Sequence, residues 1–221
     1  MIEIVVYGAG GLALEVRNII KRINRYNKLY DDELYKFLGF VTTSGDKSEE
    51  GVVGNEDLIR QNDSINVAIG IGNPKVRFDV GTRLCEEIGE KRFPPLIDPS
   101  AIFDFDSCEV RCGAIIAQNV VGTVNILFDN FSYVNLSCTL GHGASIGRGS
   151  MLNPGANLSG DVKLGDKVLV GTGAKILEKR IICSGSTVGA GAVVVKDVPE
   201  CTTMVGVPAK AVKLENKLLI F

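Results

Sequence analysis

Hydrophobic and polar positions follow two different rhythms along this chain, and the change comes near residue 95. Before it, aliphatic runs end at glycine. IEIVVYG from Ile2, YKFLGFV from Tyr35 and INVAIGIG from Ile65 read as buried parallel strands. Between the first two, LALEVRNIIKRIN places Leu14, Val16, Ile19, Ile20 and Ile23 close to one helical stripe. PKVRFDVGTRLCEEIG reads as a second helix with Pro74 in its first turn. Strands alternating with helices predict a small parallel α/β domain over residues 1–95.

Beyond it a period of six takes over. Steps of six from Val110 land on Ile116, Gly122, Phe128, Val134, Leu140, Ile146 and Leu152, and continue through Leu158 to Val194. Only Gly122 and Phe128 are not aliphatic. Four residues further on, the position is mostly small or Val, with Ile126 and Arg180 as exceptions. Neither a helix nor a simple strand repeats every six residues. A solenoid of short strands joined by like corners does, with one bulky residue filling each corner of the core. Three hexads make a triangular coil of eighteen residues, coils stack at about 4.8 Å like neighbouring strands, and fifteen hexads give five coils. Gly141, Gly147, Gly165, Gly171 and Gly189 all follow the aliphatic position, where tight corners with unusual dihedrals are expected. The solenoid is assigned to residues 96–212 and a C-terminal tail to 213–221.

Charge and composition narrow the chemistry. A net charge of -2 gives no electrostatic case for nucleic-acid binding. The start, MIEIVVYGAGG, is interrupted by glycine too soon for a signal peptide, no run approaches a membrane span, and a cytoplasmic location is expected. Six cysteines show no CxxC pair and the chain has one histidine, so reduced thiols, several of them core fillers, and no metal site are expected.

The order and spacing of VYGAGGLALEV, AIGIGNPKVR, LIDPSA, VNLSCTLGHGASIG, LNPGANLSGDVKLGDKVLVGTGAKI, VGAGAVVVKDVPE and MVGVPAK cover nearly the whole chain. With these segments the chain resembles the hexapeptide-repeat acyltransferases of the NeuD/PglD type, acetyltransferases of sialic acid and of nucleotide-linked amino sugars. The resemblance implies an N-terminal nucleotide-sugar-binding domain, a C-terminal left-handed parallel β-helix, acetyl-CoA as co-substrate, and a homotrimer with three sites between subunits.

Acetyl transfer from a thioester needs a base for the attacking amine or hydroxyl and a donor for the oxyanion. Imidazole is the usual base, and His142 is the sole candidate. By resemblance it occupies the catalytic position. The family commonly has an acidic residue next; here Gly143 stands in its place. The eighteen-residue register puts Asp161 above Gly143 and Asn125 below it, and either is a candidate to orient the ring. Asn135 and Asn153 follow their aliphatic corners, where they either cap the turn or line the acceptor site. The resemblance implies that Gly171, Gly173 and Ala174, with Gly189, Gly191 and Ala192, run beside the pantetheine arm. It places Gly206, Pro208 and Lys210 at the adenine end.

In the first domain GAGGLA fits G-x-G-x-x-G/A between strand and helix, where backbone donors can hold a pyrophosphate. Thr42 and Thr43 end the second strand where a dinucleotide site wants an acid, which argues against NAD. The resemblance implies that Gly8, Gly10, Gly11, Leu12 and Thr42 face a nucleotide sugar, although Leu12 and Thr42 depart from the family's GGHG and its Asp after GF. Asn73 and Arg77 of GIGNPKVR either contact sugar or phosphate or serve as cap and ion pair. The leading expectation is acetylation of a nucleotide-linked amino sugar in bacterial surface-glycan synthesis. The alternatives are sialic acid O-acetylation and a catalytically silent sugar-binding scaffold.

Overall fold

The computed structural model describes residues 1–30, 34–46, 48 and 50–212, so the expected tail at 213–221 lies outside the described residues. Four parallel strands, β1 (Ile2–Tyr7), β2 (Tyr35–Val41), β3 (Val52–Gly54) and β4 (Asn66–Ile69), form a sheet ordered β3-β2-β1-β4. Three helices accompany them: α1 (Gly11–Asn27), α2 (Glu56–Arg60) and α3 (Pro74–Ile88). β4 stops before the glycines of its sequence run. A Cβ on Gly70 would stand 2.8 Å from Ala13, so close packing against α1, and no further strand pairing, explains that glycine. The buried stripe of α1 is Ala13, Val16, Ile19, Ile20 and Ile23, while Leu14 faces outward. Ala13 belongs to the stripe at i, i+3, i+7 and i+10; Leu14 lies a residue off it.

The solenoid pairs residue i with i+18 through its middle coils, as Leu140 with Leu158 and Ile146 with Leu164 show. Its three faces are built from two-residue strands. In each strand the second residue turns inward, and Ile116, Leu140, Leu158, Val170, Ile176 and Val188 share one apolar core with the small positions Ala114, Cys138, Ala156 and Ala174. Burying one such aliphatic side chain contributes about 1.5–3 kcal/mol. The strict register misses two end turns. Leu96–Ile97 pairs with Ile115–Ile116 nineteen residues on, and Thr187 pairs with Thr203 sixteen on, so the parallel β-helix makes about six turns and not five.

The corners also differ from expectation. The left-handed residue comes three positions after the aliphatic one, every six residues from Gly113 to Gly191, with φ between 56° and 70°. Gly141 and Gly171, two positions earlier, have no such dihedral. A Cβ on Gly141 would stand 2.5 Å from the Gly160 nitrogen, and one on Gly171 2.5 Å from the Ala190 nitrogen. Those glycines are set by the approach of the next coil.

One face carries the α/β domain. Its outward residues Leu96, Ile115, Tyr133 and Met151 join the stripe of α1 in a second core. α3 covers the adjoining corner, where the Phe131 ring fits against Gly81 and Gly113; a Cβ on either would stand 2.5 to 2.7 Å from it. An ion pair with its carboxylate buried fastens the junction: Arg22 donates to Asp98 at 2.5 and 3.0 Å, and Ser100 donates its N–H and hydroxyl at 2.9 and 2.6 Å. Burial opposes the charge of Asp98, but these bonds outweigh it and hold the carboxyl below its ordinary range. Of the six cysteines, only Cys138 is fully buried; Cys201 is exposed and the rest are half-buried, so the core-filler expectation holds for one of them.

Candidate active site

His142 sits on the corner between the second face (Val121–Gly122, Thr139–Leu140, Asn157–Leu158, Lys175–Ile176, Val193–Val194) and the third (Glu109–Val110, Leu127–Phe128, Ser145–Ile146, Lys163–Leu164, Ile181–Ile182). Its side chain is 66% exposed, and its Nδ1 lies 3.8 Å from Asp161 Oδ1. That distance is too long for a hydrogen bond and close enough for an ion pair once the ring is protonated. Two glycines make the arrangement possible. An ideal Cβ on Gly160 would stand 2.5 Å from His142 Nε2, so the bare backbone of the next coil receives the ring. A Cβ on Gly143 would collide with Asp161 Oδ1. The residue that replaces the expected acid thus opens the space that an acid one coil away fills.

Asn125 does not share in this contact. It donates its backbone N–H to Ser107 Oγ at 3.0 Å, and among the described residues no side-chain bond joins it to His142. Lys163, unforeseen in the sequence, donates to the Gly143 carbonyl at 2.7 Å and brings a cation beside the histidine. The signal that would have found it is register: it occupies the outward position of the strand above Ser145.

Asn135, Asn153, Gly171 and Gly189 stack in one column, eighteen residues apart, at the corner before His142's. Asn135 is buried, and its Oδ1 accepts from the Leu136 N–H at 2.7 Å, a turn-capping bond. Within one chain neither asparagine adjoins His142. The N–H groups of Gly171, Gly173, Ala174, Gly189, Gly191 and Ala192 are all bonded within the solenoid. Gly206, Pro208 and Lys210 belong to the hairpin of Thr203–Val205 and Lys210–Val212 above the column.

The C-terminal ends of β1, β2 and β4 bring Gly8, Gly10, Gly11, Leu12, Thr42 and Asn73 to one edge of the sheet. Gly8 has φ +109°, and a Cβ there would stand 3.0 Å from the Gly70 oxygen. Gly10 caps α1 without a side-chain bond and the first turn holds no acid, so its N–H groups and helix dipole suit an anion. Thr42 Oγ1 accepts from the Gly45 N–H, and Asn73 Oδ1 caps α3 at 3.1 Å from the Val76 N–H. A cleft of about 220 Å³ opens beside Asn73, lined also by Lys75, Lys167 and Thr187; the two lysines are spaced in the sequence in a way that gave no signal.

Arg77 is elsewhere. It projects from the first turn of α3, fully buried, donates to the Ile69 carbonyl at 3.0 Å, and stacks 4.9 Å from the centre of the Tyr133 ring. Burial pushes its pKa down to about 10. It joins the two domains and presents nothing to a ligand outside. The acid that the β2 end lacks comes from α2: Tyr7 donates to Glu56 at 2.6 Å and meets Thr43 Oγ1 at 3.1 Å. Arg83 and Arg60 already occupy that carboxylate.

Residues 3–84 match the family model described as the PglD N-terminal domain. The acetyltransferase domain of PglB from Neisseria gonorrhoeae, solved with acetyl coenzyme A, is 25% identical with a TM-score of 0.81, covering 96% of this chain and 99% of that one. WeeI from Acinetobacter baumannii is 26% identical with a TM-score of 0.78, covering 96% and 100%. Residues 3–84 thus carry a domain of the PglD N-terminal type, and over nearly its whole length the chain is similar to these two solved structures. PerB from Caulobacter crescentus, solved with CoA and GDP-perosamine, shares this fold at 22% identity, a TM-score of 0.82 and coverage of 96% and 97%. The serine acetyltransferase of Bacillus licheniformis is 34% identical over 90 residues, 37% of this chain and 42% of that protein. The chain thus spans less than half the length of the first curated relatives it matches. Among the described residues no helix is long and apolar enough to cross a membrane.

Proposed function

We propose that this protein is an acetyl-CoA-dependent acetyltransferase that acts on the amine of a nucleotide-linked amino sugar. The observation that carries the reading is the His142 corner, where an exposed imidazole rests on Gly160 with Asp161 Oδ1 3.8 Å from Nδ1. Its support is the full-length likeness to a PglB domain solved with acetyl coenzyme A and to PerB solved with CoA and GDP-perosamine. His142 accepts a proton from the amine as its nitrogen attacks the thioester carbonyl, and Asp161 stabilises the imidazolium that results. Collapse of the tetrahedral intermediate expels the CoA thiolate, which takes up a proton. The sheet edge of Gly8, Gly10, Gly11, Leu12, Thr42 and Asn73 receives the nucleotide. The corner of Gly171, Gly173, Ala174, Gly189, Gly191 and Ala192 receives the pantetheine arm, with Gly206, Pro208 and Lys210 at its adenine end. Residues 1–95 and 96–212 are then a nucleotide-sugar domain and an acyl-transfer domain.

These stations do not meet within one chain: the pantetheine column and His142 lie on successive corners. A homotrimer, in which the second corner of one copy faces the first of the next, would complete the site and bring Asn135 and Asn153 toward the acceptor. Thiol release from acetyl-CoA, measured with a panel of nucleotide-linked amino sugars and with sialic acid, tests the reading. Release is expected with an amino-sugar nucleotide and should fall by about 10²–10⁴ in His142→Ala, the usual worth of a general base. Release with sialic acid alone would assign O-acetylation, and release with neither would leave a binding scaffold.

A further inference from the structure

A second cluster of titratable side chains lies away from the histidine corner. Cys85 lies in the last turn of α3, Glu90 begins the short turn that leaves it, and Cys112 stands on a corner of the solenoid next to Gly113. Their two sulfurs and a Glu90 carboxylate oxygen lie within 4.8 Å of one another. The Cys112 thiol also points at the Glu90 backbone oxygen, 3.5 Å away. The backbone around them is fixed: Gly113 donates to the Phe93 carbonyl at 2.8 Å, and Phe131 to the Cys112 carbonyl at 2.9 Å. Neighbouring guanidiniums are occupied elsewhere. Arg92 bonds the carbonyls of Ile59, Asn62 and Ile65, and Arg111 pairs with Glu109 and Asp129.

Among the described residues, three groups that take or carry negative charge therefore converge with no ion pair to Glu90. Burial, with Cys85 beside it, pushes the Cys112 thiol up to about 12, which makes the pair a poor nucleophile. The geometry points to a binding site for one thiophilic divalent cation of the zinc class, held by Cys85 Sγ, Cys112 Sγ and the Glu90 carboxylate. Tetrahedral zinc ligands at about 2.3 Å stand roughly 3.8 Å apart. The observed spread, within 4.8 Å, exceeds that separation by about 1 Å at most. Two thiol S–H bonds break, two sulfur–metal bonds form, and two protons leave to solvent. Glu90 is exposed, so a water completes the fourth position. Because α3 and its exit turn supply two ligands and the solenoid one, the ion clasps the domains together; it takes no part in acetyl transfer.

The test uses the full chain, reduced, stripped by a chelator and titrated anaerobically with Co²⁺. The expected result is an intense near-ultraviolet thiolate-to-cobalt band that saturates at one equivalent and is abolished by added Zn²⁺. Cys112→Ser and Cys85→Ser remove the band, and Glu90→Gln weakens cobalt binding at least tenfold. A variant with Cys108, Cys138, Cys183 and Cys201 replaced by Ser keeps it, which separates loss of the site from loss of the fold. Absence of the band at one equivalent overturns the proposal. So does a band that survives in the Cys85→Ser/Cys112→Ser protein.

Discussion

At the scale of single residues, the informative position is Gly143. A side chain there would occupy the place of the Asp161 carboxylate, so the acid near His142 comes from the next coil and not from the next residue. At about 4 Å two unit charges interact by roughly 1 kcal/mol in water and roughly 4 kcal/mol at an effective dielectric of 20. On the proposed chemistry, Asp161→Asn should lower kcat about tenfold or more and leave KM nearly unchanged, since it acts on the ring and not on substrate. An unchanged kcat in steady-state assays would remove Asp161 from this role. Gly160→Ala should lower kcat as well, because its methyl group would stand 2.5 Å from where His142 Nε2 now lies. Wild-type kcat in that variant would show that the ring need not rest on the coil above.

At the scale of elements, Glu56 ties four of them together. It joins Tyr7 at the end of β1, and through that hydroxyl Thr43 after β2, to Arg60 of α2 and Arg83 of α3. The bond from Arg83 does most to hold its carboxyl at about 2, against an ordinary value of 4.5. A depressed carboxyl stabilises the fold above its unfolded pKa and loses that contribution as pH falls toward the folded one. Partial exposure of the arginines screens the effect, leaving about 1–2 kcal/mol. Urea unfolding should find Glu56→Gln less stable than the parent by this amount at pH 7. The two should converge as pH drops from 4.5 toward 2, and parallel curves would refute the assignment.

At the scale of the whole molecule, α1 and α3 cover one face and one corner of the solenoid, and the histidine corner stays open. Val121, Val124, Leu177 and Val195 are exposed on and beside that corner, an apolar margin suited to a second copy. The proposed inter-subunit site requires three chains in solution. Light scattering should report a trimer, and a monomer with full activity would contradict a shared site.

How much could be read in advance follows from the physics of each part. The six-residue period is a local consequence of each coil repeating its neighbour, so Leu140, Ile146 and Leu158 announce the solenoid and its register, and with them Asp161 beside His142. The end turns escaped because their coils hold nineteen and sixteen residues, which breaks the period without breaking the pairing. The corner glycines do not disclose their role in the sequence, because close approach and left-handed dihedrals both select glycine. The sequence by itself determined the repeat, the two-domain order and a lone histidine at a fixed address. Only the tertiary structure decided that Gly160 receives its ring and that Asn125 stands aside. It also decided that Arg77 is a buried tie and that Cys85, Glu90 and Cys112 meet. Those outcomes depend on side chains converging from distant segments, and neither period nor spacing encodes that convergence.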